Sequence, residues 1–419
     1  MIDVVLGLGF GDEGKGTIVD WLARRRGGAV VVVRWNGGPQ AMHHVVTAEG
    51  RVHCFAQLGS ASFVDGARTH LGPEMIVDPY ALLAEADAIA QVGVPDALAR
   101  VTIDPRAVLV TPWHAIVGRV REVLRGAGQH GSTGRGIAEA RHGAVRVTAG
   151  DLAGPGFVDR ALAVREAARA ALRDLAGPGA PEPARALAAH VDRPDLRAAF
   201  VDSARAVVGA GRAVVTLEVP RADAVILEGA QGALLDRDHG FFPHVTPSRI
   251  TRRAAEEAAR AMGLAGPLTV WGVLRAVHTR HGAGPLPSHD AALTARLPEP
   301  HNPEGPAGPF RVGWFDGVLA RYALAFAGPI DRLALTCVDR VDALGAPAVV
   351  DAWDARGDGE RVAGALSAAD PAHRTAIARA ATPRPRAVPA IVPAIEALLG
   401  RRVDVESRGM TAADKLDRT

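Results

Sequence analysis

Short, largely apolar runs that empty abruptly into glycine and polar residues recur along this chain. Ile2 to Leu6 runs into Gly7-Leu8-Gly9-Phe10-Gly11-Asp12-Glu13-Gly14-Lys15-Gly16, and Ala29 to Val33 into Arg34 and then Asn36-Gly37-Gly38-Pro39-Gln40-Ala41-Met42-His43-His44. Ala224 to Leu227 does the same into Glu228-Gly229-Ala230-Gln231-Gly232, Thr269 to Val277 into Thr279-Arg280-His281-Gly282-Ala283-Gly284, and Leu333 to Val338 into Asp339-Arg340. A continuous apolar run reads as a strand covered on both faces, the habit of parallel sheets. Between these runs the spacing turns helical: Thr17 to Ala23, Pro79 to Val120 with an interruption around Val101 to Pro112, Asp159 to Leu175, and Ala184 to Ala210. Gly177 to Pro183 reads as a connection, Ala363 to Leu399 alternates helical and proline-rich pieces, and Val403-Asp404-Val405 reads as a late short strand. Alternating strand and helix predicts an α/β fold with a mostly parallel central sheet and surrounding helices, including a helical subregion at about 155–215. Ligands bind outside the carboxyl ends of such strands, so the polar ends above converge on one expected crevice, with His43 and His44 well placed for chemistry.

The first of these ends carries the strongest chemistry. Strand, glycine-rich turn and helix start form an anion site, because side-chain-free N–H groups can close around phosphate oxygens and the positive helix end adds attraction. Two motifs overlap: Gly9-x-Gly11-x-x-Gly14 fits a dinucleotide fingerprint, and Gly9-x4-Gly14-Lys15 fits a P-loop except that Gly16 replaces the magnesium-holding Ser or Thr. The dinucleotide reading lacks its acidic residue, since the second strand ends in Arg34 and Trp35. A second glycine string, Gly131-Ser132-Thr133-Gly134-Arg135-Gly136-Ile137, suits another anion site by the same argument, but alone it fits an unliganded turn equally well.

Composition sharpens this picture in two places. Among 48 Lys plus Arg, lysine occurs only at Lys15 and Lys415. A lysine kept in a glycine loop suits phosphate contact, where a planar guanidinium would crowd the backbone. The net charge of +2 in 419 residues, with arginines interleaved among carboxylates, argues against a nucleic-acid binder. Cys54 and Cys337 have no metal-ligand neighbours at useful spacing, no signal-like N-terminus is present, and no apolar run approaches the ~20 residues that span a bilayer. The expectation is a cytoplasmic enzyme acting on small molecules, away from membranes.

The strings Gly11-Asp12-Glu13-Gly14-Lys15-Gly16, Gly131 to Ile137, Glu228-Gly229-Ala230-Gln231-Gly232 and Leu234-Leu235-Asp236-x-Asp238-His239-Gly240 resemble the adenylosuccinate synthetases, in order and over almost the whole chain. The resemblance implies one α/β domain spanning residues 1–419, a homodimer, and a GTP- and magnesium-dependent ligase that joins the 6-oxygen position of IMP to the amine of L-aspartate. It implies that Asp12 is a general base and magnesium ligand, that His43 assists phosphoryl transfer, and that Lys15 with Gly11, Glu13, Gly14 and Gly16 holds GTP phosphates. The backbone at Met42 falls where the family uses a carbonyl on magnesium. Gln40, Thr133, Arg141, Gln231 and Thr246 match nucleotide monophosphate positions, Arg141 being lent across the dimer. Asp339, Ser407 and Gly409 match the guanine site, and Arg311 the aspartate loop.

The departures are also legible. Gln40 replaces an asparagine, Cys337 a lysine, Pro73-Glu74 an Asn-Gly pair, and the segment between Ile137 and Arg141 is shortened. Where the family carries an arginine run, this chain has Gly305-Pro306-Ala307-Gly308-Pro309-Phe310-Arg311. Loss of bidentate arginines weakens dicarboxylate binding, so the expected nucleophile is a less acidic or larger amine. The competing readings are a catalytically silent nucleotide-binding paralogue and an ordinary P-loop phosphotransferase; the latter lacks the Ser or Thr after Lys15.

Overall fold

The computed structural model describes residues 1–299, 308–354 and 359–419. Its central sheet has ten strands in the order Lys415–Asp417, Val405–Ser407, Arg332–Thr336, Leu268–Arg275, Ile2–Gly7, Ala224–Gly232, Val30–Arg34, Arg68–Leu71, Val101–Ile103 and Val214–Val215. Every neighbouring pair is parallel except the first, which is antiparallel. The five strand ends read from the sequence therefore lie side by side, because all five strands adjoin and point the same way. Burial explains their uniform apolarity: Ile2–Gly7 and Val30–Arg34 are buried at every position.

Of the two polar exceptions in these strands, Arg34 donates from Nη1 to the Leu58 carbonyl at 3.1 Å, and Asp3 is fully engaged. Asp3 accepts two bonds of 2.8 Å from Arg26 and one of 3.0 Å from the Trp271 indole, so its buried charge is neutralised. The helix Lys15–Arg26 packs over the sheet beside the edge-on Trp21 and Trp271 rings. Toward the Val214–Val215 edge of the sheet, Pro112–Leu124 joins the helices Phe157–Leu175, Glu182–Ala188 and Pro194–Val207 in a second apolar cluster with Leu71, Val101 and Ile103, where Phe200 meets Trp113 and Phe157 at centroid distances of 6.0 Å each. The helical subregion is thus a packed layer carrying nothing from the expected site.

Three local expectations change. The interruption at Val101 to Pro112 contains the sheet strand Val101–Ile103, too short to show a period. His43 and His44 belong to a strand, His43–Val46, paired antiparallel with Val52–Phe55, so the loop read from Asn36 to His44 ends two residues earlier, at Met42. Leu268–Arg275 stops before Val277–His281, which crosses to a separate four-stranded sheet with Phe310–Asp316, Ala348–Val350 and Pro385–Ala387. Among the described residues no helix is long and apolar enough to cross a membrane.

Burial pushes the pKa values of His70, His114 and His278 down to about 4, so the folded protein holds them neutral. The unfolded chain protonates near pH 6.5, so their contribution is complete above about that pH and is lost as pH falls from there toward 4. Glu85 and Asp316, raised by burial to about 7, run the opposite way and offset part of it. The melting temperature is expected to fall between pH 6.5 and 4.5, and His114→Gln should flatten that slope; an unchanged slope would show that His114 is charged in the native state.

Candidate active site

The turn after the first strand is held by three residues in the left-handed region, Gly11 at φ 96°, Asp12 at 59° and Gly14 at 85°. This folds Glu13 back into the loop, where the Gly9 and Gly11 N–H groups donate to one carboxylate oxygen at 2.9 and 2.8 Å, and Lys15 to the other at 2.6 Å. Glu13 and Lys15 are each 2% exposed. The loop is therefore an anion cradle by demonstration, because it already encloses a carboxylate. A side chain at Gly232 would place its Cβ 2.0 Å from the Glu13 oxygen, which is why the strand facing the cradle carries glycine there. Thr336 closes the other flank, donating to the Glu13 carbonyl at 2.7 Å.

His43 sits beside this cradle, with its Nδ1 2.5 Å from Glu228 Oε1. Glu228 is fully buried and also accepts from the Ser60 N–H at 3.0 Å and the Ser60 hydroxyl. Burial alone would raise its pKa, but the Arg34 charge, His43 and Ser60 bring it down to about 2. Burial in turn pushes His43 down to about 4, against the pull of Glu228. A neutral imidazole that donates through Nδ1 presents Nε2 as its free nitrogen, with the ring fixed by the carboxylate behind it. Glu228 belongs to a quoted sequence motif, yet its role is visible only from the pairing of Val30–Arg34 with Ala224–Gly232, which sets Arg34 opposite Glu228.

Asp12, within the loop itself, has one carboxylate oxygen 2.9 Å from His281 Nε2. Burial works to raise its pKa, but the His281 hydrogen bond and the charges of His281, Arg275 and Lys15 outweigh it and hold it below the usual aspartate range. Arg275 bonds the Asp12 carbonyl at 3.4 Å and pairs with Glu299. His281, Arg275 and Arg280, whose guanidinium lies 4.2 Å from the Phe10 ring centroid, were missed as site residues; the signal available was their place at a strand end. Arg311 donates to the Gly282 and Gly284 carbonyls at 2.6 and 2.9 Å, and residues 305–307 of the altered loop lie outside the described residues.

The nucleotide candidates fall into two groups. Gln40 Oε1, Gln231 Oε1 and Thr246 Oγ1 are buried oxygens with no hydrogen-bond partner among the described residues. Such an atom costs about 1–3 kcal/mol unless a ligand or water completes it. Gln40 and Gln231 flank the Gly37-Gly38 turn, and the His244 ring, 3.2 Å from the His130 carbonyl, ties the Thr246 loop to that of Thr133. Thr133 itself is exposed, and the amides of Gly131 and Ser132 are taken by Glu122 at 2.8 and 3.2 Å. Arg141 is engaged within its own chain, 2.5 Å from Glu74, the residue of the altered Pro73-Glu74 loop. Asp339 stands half-buried in the first turn after Arg332–Thr336, and Ser407 and Gly409 bond one another at 3.2 Å at the neighbouring strand end.

No cluster of three or more His, Cys, Asp or Glu among the described residues could hold a metal alone. Magnesium keeps several waters and binds through one or two carboxylates plus phosphate oxygens. The half-buried Asp12 carboxylate and the backbone at the exposed Met42 suit that sparse donor set.

An anion cradle with a buried lysine, flanked by a carboxylate and an anchored imidazole at the ends of parallel strands, defines an α/β protein that acts on phosphorylated ligands. The chain belongs to the adenylosuccinate synthetase family, whose model matches residues 4–410. It is accordingly a GTP-dependent ligase of purine nucleotide biosynthesis. The adenylosuccinate synthetase of Neisseria gonorrhoeae is 33% identical over 352 residues, covering 81% of this chain and 77% of the other. One from Neisseria meningitidis is 34% identical over the same length and coverage. The fully ligated adenylosuccinate synthetase of Plasmodium falciparum superposes with a TM-score of 0.75 at 20% identity, covering 100% of this chain and 99% of the other. The succinoaminodeoxyadenylate synthetase of cyanophage S-2L, bound to dGMP and dATP as energy donor, gives 0.56 at 18% identity, over 100% and 95% of the chains.

Lys15→Met leaves the buried Glu13 carboxylate without its cation and removes a charge-assisted donor from the cradle. Calorimetric titration should show GTP affinity reduced roughly 10- to 100-fold, the equivalent of about 1.5–3 kcal/mol for a hydrogen bond to a charged group. Wild-type affinity in this variant would exclude Lys15 from phosphate contact.

Proposed function

We propose that this ligase transfers the γ-phosphoryl group of GTP to the 6-oxygen of a purine nucleotide, IMP or a close analogue, and that an amine then displaces the phosphate. The observation that carries the reading is that Asp12 and His43 both lie in the field of Lys15, which is bonded to Glu13 in the cradle. Asp12, held in its charged form, takes the N1 proton of the purine as the 6-oxygen attacks phosphorus. The bond from γ-phosphorus to the bridging oxygen of GDP breaks, and the 6-oxygen becomes a phosphate leaving group. His43, anchored by Glu228 through Nδ1, takes up a proton on Nε2 once the GTP phosphates lie against it and donates from there to the charge spread over the transferring group. Lys15 and the loop amides hold the GTP phosphates, with the Glu13 carboxylate moving aside. Magnesium, held by Asp12, the Met42 carbonyl and phosphate oxygens, would neutralise charge on those phosphates.

In this reading Gln40, Thr133, Gln231 and Thr246 take the acceptor nucleotide, with Arg141 reaching it across a homodimer, and Asp339, Ser407 and Gly409 take the guanine of GTP. The unpaired buried oxygens of Gln40, Gln231 and Thr246 support the acceptor site. Arg311, committed to two backbone carbonyls, supports an amine less acidic or larger than L-aspartate. The enzyme works in the cytoplasm.

The test is phosphate release from GTP and magnesium with IMP or dGMP, the latter after the ligand of the cyanophage protein. GTP and one of these nucleotides should bind, and release should require an amine. Adenylosuccinate formed efficiently at millimolar L-aspartate would overturn the altered-amine part alone. Asp12→Asn should lower turnover by about 10²- to 10⁴-fold while nucleotide binding persists, the range of a lost general base; a silent paralogue would turn over in neither form.

A further inference from the structure

Lys415 is the second of only two lysines in this arginine-rich chain, and the phosphate loop accounts for the first alone. It lies on the edge strand Lys415–Asp417, directly opposite Ser407, and is 8% exposed. Its ammonium donates to the Gly409 carbonyl at 3.0 Å and the Thr411 carbonyl at 2.8 Å. Ser407 also donates to Gly409, at 3.2 Å, and Thr17, from the helix that follows the phosphate loop, donates to the Met410 carbonyl at 3.1 Å. The turn 409–411 is thus fixed between Lys415 and the phosphate-binding helix.

An ammonium has three N–H donors, and two are used here. Among the described residues no acceptor takes the third. Burial pushes Lys415 down to about 8, while Asp414, Asp20, Cys337 and Asp339 act on it in the opposite direction. The Asp339 carboxylate has no hydrogen-bond partner of its own among the described residues and is half-buried. A cationic donor and an anionic acceptor are therefore both unsaturated on the two strands that flank Val405–Ser407, Lys415 beginning one and Asp339 following the end of the other.

We propose that Lys415 determines the base specificity of the donor nucleotide, fixing the 409–411 turn and presenting an N–H donor beside the Asp339 acceptor, a pair complementary to a 6-oxopurine. This rests on the reading of Asp339, Ser407 and Gly409 as the donor-base site. A 6-oxopurine offers an oxygen to the ammonium and N–H groups to the carboxylate. A 6-aminopurine offers an N–H to the ammonium and a ring lone pair to the carboxylate, so both contacts become repulsive and the wrong base is rejected.

The test is calorimetric titration of wild type, Lys415→Met, Lys415→Gln and Lys415→Arg with GTP and with ATP, alongside their melting temperatures. Wild type should prefer GTP; the Met and Gln variants should lose at least tenfold of that preference, mainly through weaker GTP binding, and the Arg variant, which keeps charge and donors, should retain most of it. Two neutral variants are included so that misfolding of one does not remove the measurement. A GTP-to-ATP ratio unchanged in the neutral variants, whatever their melting temperatures, overturns the proposal and leaves Lys415 a strut. Failure of wild type to bind either nucleotide would instead overturn the donor-site reading beneath it.

Discussion

The enclosure of the Glu13 carboxylate by the phosphate loop is the interaction on which the candidate site turns. A carboxylate 2% exposed would be strongly destabilising alone, and it is tolerated because two backbone N–H groups and Lys15 surround it. Those donors can reach it only because Gly11, Asp12 and Gly14 bend the backbone into the left-handed region. The same donors suit a phosphate, so the loop holds its shape by enclosing its own anion, and a phosphate must compete for those donors.

From that loop, charge is distributed outward in alternation. Lys15 faces Glu13, Asp12 faces His281 and Arg275, and His43 faces Glu228, itself under the field of Arg34. Opposite neighbours keep Asp12 and Glu228 ionised, while burial, against the pull of Glu228, holds His43 neutral across neutral pH. Phosphoryl transfer needs this arrangement set before the reaction, because reorienting dipoles during the step would add to the barrier. The parallel sheet supplies much of the rigidity: Arg34, Glu228 and Arg275 lie on three of its strands and the phosphate loop follows another, while His43 and His281 come from two smaller sheets.

At the nucleotide ends of the crevice the polar groups are less committed. Gln40, Gln231 and Thr246 hold unpaired oxygens, while Arg141 and Arg311 are engaged by groups of their own chain. The contrast follows from side-chain length: a long guanidinium finds a local carbonyl or carboxylate, whereas a short side chain at a strand end is held where the backbone puts it.

The sequence by itself determined the class of fold and the phosphate loop, because both are written in contiguous residues: apolar runs, glycine spacing, and a lysine where arginine is the rule. It also located His43 and Asp12 through their strings. Tertiary structure decided what those residues face. The partners His281 and Glu228 are 269 and 185 positions away from Asp12 and His43 along the chain, and only strand order brings them within hydrogen-bond reach. The short strands Arg68–Leu71, Val101–Ile103 and Val214–Val215 were illegible for a related reason. Two to four residues show no period, and they become strands because a neighbouring edge offers them partners.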